Sequence, residues 1–215
     1  MKDLLYKEFK LALHPSIFIY LFFGALLLIP SWMYFIAFGY IFIGFFNMFT
    51  AGRANQDIFF TVCLPIQKRD MVRARIISIT LMELLQIAFA IPFAFINNNL
   101  YPDGNFIAMD VNSAFFGCVF ILYAIFNIVF FPAFFKTAYK AGVPCFLGVL
   151  ALSVFAVAVE FAVQIIPVLK INLDTLDPAY MINQLYVLIA GIVVFVLATW
   201  LAYKKSVKNF EKVDL

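Results

Sequence analysis

Residues 53–75, RANQDIFFTVCLPIQKRDMVRAR, are the longest charged interruption between two strongly apolar regions of the chain. The first half, Arg53 to Cys63, reads as one short amphipathic helix. Ala54, Ile58, Thr61 and Val62 fall at i, i+4, i+7 and i+8 and make a face that can lie against a membrane. Arg53, Gln56, Asp57 and Phe60 make the opposite face, which points into the cytosol. A phenylalanine presented to water needs a reason, and a socket on another protein is one. Pro65 disfavours the helical conformation at Leu64 and has no N–H to donate, so the helix ends there. Asp70 can cap a new helix starting near Met71, which becomes the next membrane span.

Outward from this stretch the chain is apolar. Of 215 residues, 66% are hydrophobic and 13% charged, outside the range in which a soluble domain keeps a charged surface. This composition belongs to an integral membrane protein. The net charge of +3 comes from bases confined to a few short segments, which is a signal of topology and not of nucleic-acid binding. Cys63, Cys118 and Cys145 show no pairing logic and read as free thiols. His14, the only histidine, has no cluster of Cys, Asp or Glu beside it, so it reads as an interfacial turn residue and no metal site is expected. The first apolar run leads into more membrane-length sequence without a small-residue cleavage pattern, so no cleavable signal peptide is expected.

Residues 1–14 open the chain as an interfacial helix. Met1, Leu4, Leu5, Phe9, Ala12 and Leu13 share one side and Asp3, Lys7 and Lys10 the other, with Glu8 falling on the apolar side against the pattern. Ser16 to Ala51 is uncharged for 36 residues. At about 1.5 Å per residue a single helix of that length would run roughly 54 Å, nearly twice a bilayer core of about 30 Å. Pro30-Ser31 offers a turn that divides it into short spans at about 15–32 and 33–51. Further spans are expected at about 76–96, interrupted by Pro92, and at 113–135, 143–169 and 184–203. A polar loop with Pro-Asp-Gly turn chemistry follows the third span, the short basic loop 136–142 the fourth, and the polar segment 170–183 the fifth. Six spans place both termini and the loops 53–75 and 136–142 on one side. That side then holds fourteen of the fifteen Lys and Arg, with Lys170 alone opposite. By the positive-inside rule it is the cytoplasm.

Nothing in the chain supplies enzyme chemistry. Gly39 to Gly44 has the glycine spacing of a phosphate loop but continues Phe45-Phe46 where Lys-Ser/Thr is required. There is no Gly-x-Ser-x-Gly and no second histidine. The expectation is therefore no catalytic, cofactor or metal residue, with ATP not bound by this chain. Two acids fall inside expected spans, Glu83 and Glu160, where an unpaired charge is costly. Each is a functional candidate, and each has the bland alternative of a protonated or hydrogen-bonded packing device.

An interfacial N-terminal helix, six spans, and a loop carrying Gln56-Asp57, Leu64-Pro65-Ile66 and Arg69-Asp70-Met71-Val72-Arg73-Ala74-Arg75 resemble the permease subunits of ATP-binding-cassette exporters of the second permease class. Within that class the pattern is similar to small stand-alone permeases, including exporters of phenol-soluble modulin peptides. Arg75-Ile76 departs from the Lys-Tyr often found at that point. The resemblance implies one all-α permease domain over 1–215 with a coupling helix at about Asn55 to Cys63. Arg53, Gln56, Asp57, Phe60, Leu64 and Pro65 then meet a separate ATPase that binds ATP and Mg. It further implies a homo- or heterodimer of permeases in lipid of the cell membrane, exporting an amphipathic substrate such as a peptide. The rivals are a self-contained secondary carrier, to which inverted repeats of three spans would point, and a non-transporting scaffold.

Overall fold

The computed structural model describes residues 1–30, 32–102, 104–105 and 107–213. Ser31 and Asp103, in two of the expected turns, together with Phe106 and the last two residues of the basic tail, lie outside them. Every regular element among the described residues is helical, as the apolar, uncharged runs require: in hydrocarbon, backbone groups must be satisfied within the segment.

The chain starts as α1 (Lys2–Lys7), continued by a π-helical turn over Glu8–Ala12. A bend of 90° at His14-Pro15 then leads into α2 (Ser16–Leu21). The 3-10 stretch Phe22–Leu28 prolongs α2. The 3-10 form rises about 2 Å per residue and so lengthens a short crossing segment. After the turn at Pro30, α3 (Phe35–Gly39) and α4 (Ile41–Ala54) form the second crossing, stepped at Tyr40. α5 (Asp57–Val62) is a separate short helix, and α6 (Lys68–Leu100), α7 (Ser113–Phe134), α8 (Gly142–Ile165), α9 (Pro167–Leu173) and α10 (Met181–Phe210) complete the chain. Five segments are long and apolar enough to cross a bilayer, or six when the bent N-terminal pair is counted as one span.

Several boundaries differ from expectation, each for a local reason. α6 begins at Lys68 with Gln67 as its N-cap, so Asp70 sits inside the first turn and caps nothing. Pro92 does not interrupt α6, since losing one N–H is tolerated within a long helix packed on its neighbours. Pro167 does break the chain: the expected fifth span to 169 ends at Ile165, Ile166 is extended, and Pro167 starts α9. α10 runs past the expected 203 to Phe210, because Lys204 to Asn209 continue the helix beyond its apolar part.

The core is aromatic. Phe42 and Phe49 on α4 meet Phe126, Phe130 and Phe134 on α7, with centroids 4.0 Å apart for Phe42–Phe126 and 4.4 Å for Phe49–Phe134. The α7 rings stack on one another at helical spacing. α7 is most extensively packed on α10, and the two cross where Gly117 faces Gly191; a Cβ on either would strike the other helix's backbone. At the end away from the basic segments, residues 107–112 and 173–177 form a lid held by side chains that satisfy backbone groups. Asn112 donates to the carbonyls of Leu173 and Thr175, and Asp174 accepts the Asp110 N–H at 2.8 Å.

Candidate functional site at the basic end

Glu8 sits on the apolar side of its helix because it has a buried partner. It is 4% exposed and opens the π-turn closed by the Leu13 N–H on the Glu8 carbonyl at 2.9 Å. π-turns of this kind recur at functional sites. Arg75, on the second turn of α6 and equally buried, places Nε 2.6 Å from Glu8 Oε2, and its Nη2 donates to Oε1 at 3.2 Å. The same Nη2 donates to Asp57 on α5. Lys7 closes the group: its Nζ lies 2.5 Å from Asp57 Oδ1 and 3.6 Å from Glu8 Oε1, and donates to Thr61 Oγ1 at 2.6 Å. Two cations and two carboxylates thus tie α1, α5 and α6 together in a partly dry site, where ion pairs are screened less than at the surface. Burial pushes the Asp57 carboxyl up, but Arg75 and Lys7 overcome this and hold it below the ordinary carboxylate range.

The expected residues of this stretch divide. Phe60 is 63% exposed, and Phe59, which the sequence reading passed over, is 53% exposed; Leu64 and Pro65 follow on the same exposed turn. Arg53 is exposed, with its guanidinium 5.6 Å from the centroid of Tyr139 in the α7–α8 loop. Two expectations are corrected. Arg53 to Cys63 is not one helix, because α4 stops at Ala54 and Gln56 takes a left-handed conformation, φ 52° and ψ 32°, before α5 starts. Asp57 does not share the outward face of Phe60, because Gln56 resets the helical phase and turns Asp57 inward beside Thr61. Ala54, at the end of α4, is exposed, while Ile58 and Val62 are partly buried against the core and Thr61 is fully buried.

A cleft of about 310 Å³ opens between α4, α5 and the α7–α8 loop, lined by Phe49, Arg53, Gln56, Phe59, Ala138 and Tyr139, with Asp57 and Arg75 in its wall. Gln56 and Ala138, the two non-glycine residues with positive φ among those described, both line it. Strained backbone of this kind persists where the surroundings over-determine it, and it clusters at functional surfaces. Lys7, Glu8 and Arg75 were missed as site residues. The sequence held a signal for Glu8 alone, a charge on the apolar side of its helix.

The intramembrane acids lie elsewhere. Glu83, on α6, is fully buried and accepts from Asn127 Nδ2 of α7 at 3.0 Å. Glu160, on α8, accepts the Met109 N–H at 2.9 Å, bonding its helix to the lid. No group of His, Cys, Asp and Glu able to hold a metal occurs among the described residues.

The architecture is that of a multi-pass, all-α membrane protein with a short amphipathic element braced at its basic end. Residues 3–211 match the family model described as ABC-2 family transporter protein, and the chain belongs to that family: it is the membrane permease of an ATP-binding-cassette transporter. No curated protein and no solved structure gives a significant match. Family membership implies an ATPase partner.

Proposed function

We propose that this permease is the membrane subunit of an exporter and that α5 is its coupling helix. A separate ATPase, binding ATP and Mg, docks on Phe59, Phe60, Leu64, Pro65 and the Arg53/Tyr139 cleft. The observation that carries this reading is the buried Lys7–Glu8–Asp57–Arg75 group: a helix whose outer face is apolar and exposed is fixed on its inner face to both α1 and α6. Force applied to α5 therefore reaches the interfacial helix and the longest membrane helix directly. A secondary carrier needs no such rigid external handle.

The basic end is the cytoplasmic one, by the positive-inside rule, with both termini there and the lid outside, in a cell membrane. The path lies between two permeases, identical or related. Its wall on this chain is the apolar groove of about 630 Å³ between α3–α4 and α8, lined by Ile36, Tyr40, Ile43, Phe46, Val149 and Val157. Such a wall suits an amphipathic or hydrophobic cargo, and the resemblance to modulin-peptide exporters favours a peptide. The test uses permease and ATPase reconstituted in vesicles. An amphipathic helical peptide is expected to stimulate ATP hydrolysis, whereas a scrambled peptide of equal composition, unable to form an apolar face, is not. Equal stimulation by both, or by neither while a lipid or drug stimulates, overturns the peptide assignment.

A further inference from the structure

Glu83 has no role in the coupling site, and its surroundings pose a problem of hydrogen-bond accounting. Glu83 and Asn127 are both fully buried where α6 meets α7. Both amide hydrogens of Asn127 are spent: Nδ2 donates to Glu83 Oε2 at 3.0 Å and to Thr199 Oγ1 of α10 at 3.3 Å. This leaves Glu83 Oε1 and Asn127 Oδ1, both acceptors, both buried, and both without a donor among the described residues. The two unsatisfied atoms belong to one side-chain pair. Turning the amide over would let the Thr199 hydroxyl donate to Oδ1 but would set Oδ1 against Glu83 Oε2, two acceptors in contact, so the pair would still lack a hydrogen.

No cation serves Glu83. The ion pairs among the described residues are all at the basic end, and Arg75, two helical turns away on the same helix, is taken by Glu8 and Asp57. The titratable group facing Glu83 from α7 is Tyr123, whose hydroxyl donates to Gln86 Oε1 instead. α10 presents Thr199, which does not titrate. An ionised carboxylate held there would combine an unpaired charge with two unmade hydrogen bonds, and either is expensive in a membrane interior.

We propose that Glu83 and Asn127 form a proton-binding site: Glu83 is a neutral carboxylic acid whose O–H donates to Asn127 Oδ1, while the Asn127 amide donates back to Oε2. One proton satisfies both orphaned acceptors and closes a ring between α6 and α7, which Thr199 extends to α10. The ligand is a proton and not a metal cation, and the ring joins three of the helices that any rearrangement of the bundle must move.

Infrared spectroscopy of the full chain in lipid nanodiscs at neutral pH tests this. A protonated-carboxyl C=O band that shifts in D2O and is lost in Glu83→Gln is expected. Gln supplies a neutral donor and acceptor of the same shape, so Glu83→Gln should melt within about 2 °C of the wild type, whereas Asn127→Leu, which strands the acid, should melt about 5 °C lower or more. Loss of an ionised-carboxylate band in Glu83→Gln, or failure of that variant to fold, overturns the proposal. The wild type gives an independent reading: its melting curves in sodium and in choline salts of equal ionic strength should coincide. Stabilisation by sodium would assign the site to a metal cation and overturn it as well.

Discussion

Arg75 is the residue on which the basic end depends, since it is the buried one of the two cations that reach both carboxylates, Glu8 on the π-turn and Asp57 on α5. Removing one partner of a buried ion pair costs about 3–5 kcal/mol, because the other charge stays buried without compensation. Arg75→Met should therefore lower the melting temperature markedly, and Glu8→Leu added to it should restore part of the loss; a double variant no better than the single would contradict the pairing. The pH response should be opposite at the two ends. Asp57 is held below its ordinary value of about 3.9, so its contribution is present above that value and is lost as acid protonates it. Asp110 and Asp174 in the lid are raised, first by burial and then, for Asp110, by the neighbouring Asp174 charge, so their contribution is present in acid and is lost as pH rises. Hydrogen exchange should find the lid loop better protected in mildly acid than in neutral buffer, and α5 the reverse once the pH falls below about 4. At this scale the sequence is half legible. Glu8 against its helical pattern is visible as an anomaly, but that it answers Arg75 across 67 positions is a matter of packing that no local period reports.

α5 shows how one backbone residue changes what an element does. Counted from Arg53, helical periodicity puts Asp57 beside Phe60 on the outside; with Gln56 in the left-handed region the count restarts, Asp57 turns in, and Phe59 joins Phe60 outside. Gln56→Gly should keep α5 in place, and Gln56→Val, a branched residue in a conformation it rarely adopts, should destabilise the protein by about 1–3 kcal/mol. Phe59→Ala with Phe60→Ala should weaken ATPase binding by about 2 kcal/mol or more, as truncated interface anchors do, and leave the melting temperature unchanged. A drop in melting temperature would instead place these rings inside the permease fold. Element boundaries were legible where chemistry is local: Ser113–Phe134 agrees with its expected span to a residue. They were not legible where proline acts, because Pro92 and Pro167 differ in nothing but surroundings. One lies inside a helix packed on its neighbours, the other at the end of one, where the chain must turn.

For the whole molecule, the expected number of crossings followed from charge. The positive-inside rule disfavours Ser16 to Ala51 as a single span, and the structure breaks that run between Leu28 and Phe35. In a background with Cys63, Cys118 and Cys145 replaced, single cysteines at the exposed positions Asn99 and Asp177 should react with an impermeant thiol reagent on intact cells, and those at Arg69 and Lys205 should not; the opposite pattern would invert the orientation. What the sequence left open, the proposed wall of the path and the bracing of α5, depends on contacts between elements distant in the chain. The central claim is that an ATPase drives this permease through α5, and copurification tests it most directly. The wild-type permease, co-expressed with its ATPase, should retain it through purification, and the Phe59→Ala/Phe60→Ala variant, equally folded, should lose it. Retention of the ATPase by that variant to the same extent as by the wild type would contradict the account.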